Sequence, residues 1–185
     1  MKLTPIIATL RARCDIFQNR VAGAAQFKEL PEVGKMLLPA AYVVPGDDSP
    51  GEQKSQTDYW QPLREGFSVI VFVSNGRDER GQFASYDVVH DVRQMLFKAL
   101  LGWTPDGCSS PIVYDGGTLL DVNRHELSYQ FDFVVESELG EDDTRQQDEL
   151  DELSELKTLF IDVDYIDPGA GPDGVIEHHT GITLS

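Results

Sequence analysis

The sequence has few of the residues on which disulfide-rich, nucleic-acid-binding and membrane proteins depend. Its 185 residues include two cysteines, Cys14 and Cys108, too few for a disulfide framework. Only 15 Lys and Arg oppose 32 Asp and Glu, and the net charge of −17 disfavours binding to phosphates, which needs clustered basic residues. No apolar run approaches the roughly 20 residues that span a bilayer. We therefore expect a protein of a reducing compartment that neither enters a membrane nor binds DNA specifically.

Signatures of catalysis are missing as well. There is no phosphate-binding loop, dinucleotide-binding fingerprint, His-Glu-x-x-His motif or nucleophile elbow. His178 and His179 are adjacent, so on a strand they would point to opposite faces and could not share one metal ion. A calcium loop is matched only in part, without its central glycine and closing bidentate acid, by Asp162, Asp164, Asp167 and Asp173. We expect no catalytic residue, metal or cofactor; the alternative is a small metal-dependent hydrolase that uses the C-terminal acids with His178 or His179.

The centre of the chain predicts a strand followed by a helix. Residues 67–73 are almost all β-branched or aromatic and follow Gly66, which predicts a strand buried on both faces. After a polar loop, apolar residues recur at helical spacing: Tyr86, Val89, Val92, Leu96 and Ala99. Gly102 stands where a glycine commonly ends a helix. A helix packed on a buried strand is therefore the predicted centre of the core.

The N-terminal segment predicts a second helix. Pro5 suits its first turn, Thr4 suits its N-cap, and we expect it to end near Gly23. One face of this helix is apolar: Ile6, Ile7, Leu10, Cys14, Phe17 and Val21. Cys14 belongs to that face, so we interpret it as a small core residue and not as a nucleophile.

Strand signals lie on both sides of the central unit. Residues 40–44 predict a strand, whereas the polar residues 45–62 predict a long loop. Asp115-Gly116-Gly117, between two short apolar runs, predicts a hairpin turn. Residues 126–136 alternate, with one face formed by Leu127, Tyr129, Phe131, Phe133 and Val135. These patterns predict an α+β fold: a mixed, largely antiparallel sheet with two main helices packed on one face.

The end of the chain is acidic. Between Glu138 and Glu155, nine acids and one base give −8 of the net charge of −17. Leucines at 150, 153 and 156 permit a short helix there, residues 159–165 alternate as a strand does, and a further strand is expected near Val175 or Ile182. We predict an α+β domain over residues 1–138. Over residues 139–185 we predict an acidic segment plus C-terminal strand extension, packed on or swapped from the same domain.

Two polar loops, residues 45–62 and 74–82, and the C-terminal extension are the predicted contact surfaces. Tyr59 and Trp60, in the first loop, are either interface anchors or rings that pin the loop to the core. The candidate interface residues are Asp47, Asp48, Tyr59, Trp60, Arg77, Asp78 and Arg80.

The order of these elements, together with three short stretches, resembles a known family. The stretches are Leu-Leu-Gly-Trp-Thr-Pro at 100–105, Pro-Ile-Val-Tyr-Asp-Gly-Gly at 111–117 and Tyr-Gln-Phe-Asp-Phe at 129–133. They are similar to the tail terminator proteins of long-tailed bacteriophages, also called tail completion or minor tail protein U-like proteins. The resemblance extends over residues 1–138, and its matching residues are turn and packing residues.

The resemblance implies a structural virion protein without catalytic activity. Such a protein forms a ring, usually a hexamer, at the head-proximal end of the tail tube, where it stops polymerisation and presents the surface that joins the head. The implied partners are further copies of itself, the tail tube protein and a neck or head-completion protein. DNA passes through the ring without specific binding, and an acidic lining would repel it. The implied location is the virion tail, and the host cytoplasm during assembly; the alternative within the virion is another neck, connector or baseplate component.

Overall fold

The computed structural model describes residues 1–28, 36–56, 58–75, 85–154, 156–164 and 174–184. Its helices are α1 (Thr4–Arg13), α2 (Ala24–Lys28), α3 (Ser85–Leu100) and α4 (Arg145–Asp151). Its strands are β1 (Val21–Gly23), β2 (Ala40–Pro50), β3 (Gln61–Ser74), β4 (Val113–Val122), β5 (Glu126–Leu139), β6 (Thr158–Val163) and β7 (His178–Thr183). The described residues form two compact units, Met1–Asp143 and Thr144–Ser185. The division predicted after residue 138 and the packing or swapping of the C-terminal segment stay predictions.

The larger sheet organises the first unit. Within the described residues its strand order is β1-β2-β3-β5-β4, and every pair except the parallel β1–β2 pair is antiparallel. β3 and β5 are each 14 residues long and stay in register from Gln61 opposite Leu139 to Ser74 opposite Glu126. The predicted α+β fold with a mixed, largely antiparallel sheet is therefore confirmed.

The hydrophobic core lies between one face of this sheet and the helices α1 and α3. Leu10 of α1 and Leu96 of α3 are fully buried, and burial of such a side chain stabilises the fold by about 2 kcal/mol. The sheet contributes alternate side chains of its two long strands to the same cluster: Phe67, Val69, Val71, Val73, Leu127, Phe131, Phe133 and Val135. Both main helices therefore pack on one face of the sheet, as predicted.

The opposite face of the sheet is covered in part by α2. Its Phe27 ring lies 5.8 Å from the ring of Tyr42 and 6.5 Å from that of Phe72, and the latter two rings meet edge to face at 5.8 Å. All of residues 67–73 are buried, including Phe72 in this aromatic cluster. The prediction of a strand buried on both faces is confirmed.

The first helix is shorter than predicted. α1 ends at Arg13, a 3₁₀ turn follows at Asp15–Phe17, and Gln18 and Asn19 adopt positive φ angles of 46° and 65° that turn the chain into β1. Thr4 is the first helical residue and Leu3 is the N-cap, without a side-chain capping bond. The helix to Gly23 and the Thr4 cap were wrong predictions. The apolar spacing continued past the helix because the turn and β1 also direct Phe17 and Val21 into the core.

Cys14 is a core residue, as predicted. Its side chain is 1% exposed, and burial, with a smaller contribution from the charge of Asp15, raises the pKa of its thiol to about 11. A thiol with that pKa is protonated near neutral pH, and the thiolate is the reactive form. The predicted helix is also confirmed as α3, but Tyr86, which the spacing placed on its apolar face, is 57% exposed. Gly102 follows α3 with a φ of 78°, a left-handed conformation that glycine adopts without steric cost.

The predicted loop over residues 45–62 is mostly strand. β2 continues to Pro50 and β3 begins at Gln61, and Pro50 pairs with Leu63. A bulge between Pro45 and Asp48 accommodates the irregular sequence. Among the described residues, only 51–56 and 58–60 are left between these strands, because pairing with the neighbouring strand outweighs the local turn signals of proline and glycine.

The predicted hairpin at Asp115-Gly116-Gly117 is also wrong. These residues lie inside β4, with a bulge between Tyr114 and Gly116, and they pair with β5. A Cβ atom on Gly117 would lie 2.6 Å from Tyr114 Oη and 2.8 Å from Tyr129 Cε1, so the glycine makes room for two rings. The actual turn is at Asn123, whose Oδ1 accepts the backbone N–H groups of His125 and Glu126, both at 2.9 Å.

The second unit consists of α4 and a two-stranded antiparallel sheet of β6 and β7. A short helix forms in the acidic stretch, but it ends at Asp151, so that only Leu150 of the three leucines that predicted it is helical. Two C-terminal strands form as predicted, the second of them containing Ile182. Thr144 caps α4 by accepting the Gln147 N–H. No described residue of this unit is buried.

A partly buried ion pair joins the start of the chain to β3. The Met1 ammonium donates to Glu65, and Ser137 Oγ donates to the other Glu65 oxygen at 2.8 Å. Burial by itself would raise the pKa of the Glu65 carboxyl, but these hydrogen bonds and the ammonium charge together lower it. A carboxylate whose pKa is lowered by folding stabilises the protein above its unfolded pKa, and this contribution is lost as the pH falls through the folded pKa.

Glu65→Gln is therefore expected to lower the free energy of unfolding by about 1 to 2 kcal/mol at pH 7, since the Met1 ammonium loses its counter-charge. Urea unfolding across a pH series measures this difference. It should shrink towards zero as the pH falls through the titration of Glu65, because the wild-type carboxyl then becomes neutral. A difference that does not change with pH would contradict the role assigned to the charge. Ser137→Ala, which removes one neutral donor, serves as the smaller-effect control.

Candidate assembly interface

The free end of the β2–β3 hairpin is closed by a network of hydrogen bonds. Gly51 N–H donates to Pro62 O at 2.8 Å, and Lys54 N–H donates to Trp60 O at 3.0 Å. The Gln53 side chain connects both sides of the loop, because its Nε2 donates to Asp58 O at 3.1 Å and its Oε1 accepts the Trp60 N–H at 3.0 Å. Residues 51–56 and 58–60 are thus connected by hydrogen bonds between their own groups.

Tyr59 and Trp60 project from this loop. Each residue is 39% exposed, and neither belongs to the hydrophobic core. Lys54 Nζ lies 4.7 Å from the centre of the Trp60 ring, and Tyr59 Oη donates to Gln61 Oε1 at 2.8 Å. The rings are not part of the core cluster, and their role as interface anchors stays a prediction. Exposed, oriented aromatic rings are typical anchors of protein interfaces.

Asp47 and Asp48 lie at the bulge of β2, beside an unusually close approach of two strands. A Cβ atom on Gly46 would be 3.0 Å from the carbonyl carbon of Gly66, and one on Gly66 would be 3.0 Å from Asp47 O. Glycine at both positions therefore permits the pairing. The two aspartates are exposed, and Asp47 borders an open polar groove of about 510 Å³ on the same face of the sheet.

Polar side chains line that groove. Arg64 Nη2 lies 2.5 Å from Asp115 Oδ1, and Ser68 Oγ donates to Asp132 Oδ1 at 2.5 Å. Both partners of the ion pair are nearly half exposed, so the pair contributes little to stability but fixes the charges across β3, β5 and β4. The arrangement suits polar contact with another protein surface.

Acidic groups accumulate near the base of the loop. A hydrogen bond with Asp58, and the repulsion between the two charges, raise the pKa of the Glu141 carboxyl. Asp142 beside it adds to the same effect. The hairpin end therefore presents aromatic rings next to a negative rim.

The other predicted interface residues, Arg77, Asp78 and Arg80, lie outside the described residues.

The sequence analysis did not identify one surface that the structure shows, the exposed apolar side chains of β4. β4 is an edge strand of the described sheet and exposes four large apolar side chains, Val113, Leu119, Leu120 and Val122. Their signal was present as an apolar run, but the prediction of a turn at 115–117 concealed that the residues form one strand.

The C-terminal acids and histidines show ordinary strand contacts. His179 Nδ1 pairs with Asp162 across β6 and β7, His178 Nε2 contacts Thr180 Oγ1 at 2.7 Å, and Asp164 accepts the Gly174 N–H at 2.8 Å. Asp167 and Asp173 lie outside the described residues. Among the residues that are described, no group of three or more His, Cys, Asp or Glu side chains is placed to hold a metal ion. No helix in the same part of the chain has the length and apolar character to cross a membrane.

Comparison with known proteins gives one family. The model of the family described as phage tail terminator protein matches residues 1–144. No curated protein matches the chain. The matched region contains the larger sheet, its helices and the β2–β3 hairpin end, and it stops where the second compact unit begins.

Proposed function

The chain belongs to the phage tail terminator family, and we propose that it assembles as a hexameric ring that caps the head-proximal end of the tail tube. It is a structural protein of the virion tail. In the proposed role the ring stops polymerisation of the tube protein and provides the surface to which a neck or head-completion protein joins. Assembly of the ring takes place in the host cytoplasm. The family match over the whole first unit is the observation that carries this proposal.

The β2–β3 hairpin end supports a role in binding the tube. Tyr59 and Trp60 are exposed, yet the hydrogen bonds of residues 51–56 and 58–60 hold them in place. An ordered loop loses little conformational entropy on binding, so its aromatic contact area is available for affinity. Its acidic surroundings, Asp58 and Glu141, favour a partner surface with basic groups.

Charge supports passage of DNA through the ring without binding. With 32 acids against 15 bases, the chain repels a phosphate backbone over distances of about a Debye length, roughly 8 Å at physiological salt. A lining of this sign lets a duplex move through without being held. The proposal requires that acidic side chains, and not basic ones, face the lumen.

Tail length is the decisive test of the proposed function. Deleting the gene in its phage should give overlong tails without heads, since nothing stops the tube, and supplying the protein in trans should restore normal length. Electron micrographs of negatively stained lysates measure this distribution. Tails of normal length that fail to join heads would identify a connector instead. A normal phage yield with normal tails would refute a role in tail assembly, and a bound catalytic metal in the purified protein would point to the hydrolase alternative.

The double variant Tyr59→Ala/Trp60→Ala is expected to weaken binding to the tube end about tenfold or more, because buried aromatic anchors dominate interface energy. Co-sedimentation of the protein with purified tail tubes measures the effect. The matched control is Tyr86→Ala, which removes another exposed ring, from α3, and should bind normally. Unchanged binding by the double variant, with unchanged thermal unfolding, would exclude the hairpin end as the tube contact.

A further inference from the structure

The acidic segment of the second unit carries apolar side chains that the described structure leaves uncovered. Leu150 is 49% exposed and Leu153 is 67% exposed. Leu153 N–H donates to Leu150 O at 3.1 Å, so the two side chains lie on the same side of one turn. Exposed acids flank them: Asp148, Glu149, Asp151 and Glu152. This combination of leucines within acids is suited to a surface with an apolar floor and a basic rim.

Between the ends of α1 and α3, the first unit has a groove in which two basic side chains lie beside two large apolar ones. An open groove of about 380 Å³ is lined there by Thr9, Arg13, Lys98, Ala99, Leu101 and Trp103. Arg13 and Lys98 are exposed, Leu101 is 37% exposed and Trp103 is half-buried. The surrounding sequence is basic as well, because residues 1–28 contain five bases and one acid, a net charge of +4 in a chain of −17.

Helix dipoles explain only part of this groove. Arg13 and Lys98 lie in the last turns of α1 and α3, where a positive charge offsets the negative end of a helix. That effect accounts for the sign of the charges. It does not account for the exposed side chain of Leu101 and the half-buried ring of Trp103 beside these two basic residues, because apolar surface in contact with water costs free energy.

We propose that residues 148–153 of one copy dock in the groove between α1 and α3 of the next copy. The leucines contact Leu101 and Trp103, and the acids approach Arg13 and Lys98. The contact joins two different surfaces of the same chain, so it is heterologous and repeats from copy to copy until a ring closes. Each copy carries one groove and one acidic segment, so in a closed ring every groove is occupied. The inference rests on the proposed ring and specifies its subunit contact.

Disulfide cross-linking between two chains tests this contact. Leu101→Cys is placed in one chain and Leu153→Cys in a second chain with a longer tag, both in a Cys108→Ser background, and they are co-produced in cells that make tails. Mild oxidation is expected to give a heterodimer of the two lengths, and the double variant in one chain should give a ladder of multimers. The control pair Leu153→Cys and Asp121→Cys, the latter an exposed residue of β4, should give neither. Cross-linking only within a chain, or none, would overturn the proposal.

Charge exchange provides an independent readout. Arg13→Glu/Lys98→Glu is expected to reduce the cross-linked fraction several-fold, because like charges then face each other. Combining it with Asp148→Lys/Glu152→Lys should restore the cross-linked fraction, a recovery that general misfolding would not produce.

Tail length distinguishes a failure of this contact from a failure of the proposed function. If gene deletion gives overlong tails but the cross-link does not form, this contact is refuted and the tail terminator role stands. If gene deletion gives normal tails, the role itself is refuted.

Discussion

Phe133→Ala is expected to lower the free energy of unfolding of the first unit by about 3 to 5 kcal/mol. Phe133 is 1% exposed at the centre of β5, and its ring stacks on Phe67 at 5.4 Å and meets Tyr114 at 5.6 Å. Removing the ring takes away contacts on both neighbouring strands and leaves a cavity where β3, β5 and β4 meet. Since a domain is stable by only about 5 to 15 kcal/mol, this loss is a large part of the total.

Urea unfolding followed by tryptophan fluorescence measures that loss, and both tryptophans, Trp60 and Trp103, report on the first unit. Val113→Ala, at a side chain that is 54% exposed on β4, is the matched control and should change stability by about 0.5 kcal/mol or less. A loss below about 1 kcal/mol for Phe133→Ala would mean that the sheet is not packed as described.

Gly46→Ala is expected to destabilise the protein by about 1 to 3 kcal/mol and to disorder the hairpin end. The added methyl group would lie 3.0 Å from the carbonyl carbon of Gly66 and 3.2 Å from Phe67 N. These are backbone atoms of the paired strand, so the clash is relieved only by moving β2 away from β3. The loss should therefore include the pairing beyond the bulge, from Asp48 opposite Glu65 to Pro50 opposite Leu63.

Amide hydrogen exchange of residues 48–64 measures this local opening, and thermal unfolding measures the global effect. Gly140→Ala is the control, because no atom lies within 4 Å of its added Cβ, and it should behave as wild type. If the hairpin end binds the tube, Gly46→Ala should also weaken co-sedimentation with tubes although Tyr59 and Trp60 are intact. Unchanged exchange in Gly46→Ala would contradict this prediction, because it would show that the added methyl group is accommodated without opening the β2–β3 pairing.

Sequence patterns were most informative where one element is strongly periodic. Residues 67–73, α3 with Gly102, and the alternating β5 were all predicted correctly, because each satisfies its hydrogen bonds and its burial with one consistent pattern. The family resemblance, carried by turn and packing residues of this region, agrees with the family match over residues 1–144. The position of Cys14 in the core was likewise evident from spacing alone.

Candidate sites were predicted less completely. Asp47, Asp48, Tyr59 and Trp60 lie towards the exposed end of one hairpin, but the sequence presented that region as a long loop and did not reveal the strand pairing that orients the rings. The apolar edge of β4 and the basic groove of Arg13 and Lys98 combine residues whose proximity no local pattern indicates. Surfaces of this kind depend on which elements become neighbours.

The sequence by itself determined much of the core, including Phe67, Val92 and Phe131, and that a sheet packs under two helices. Only the tertiary structure decided that Pro45 to Pro50 and Asp115 to Gly117 run as strands and that the first helix stops at Arg13. The physical reason is that the tendency of a residue to be buried depends on its own side chain. The hydrogen bonds of a strand's backbone groups depend instead on partner residues that are distant in the chain. Such a partner can hold proline and glycine in an extended conformation that their local preferences disfavour.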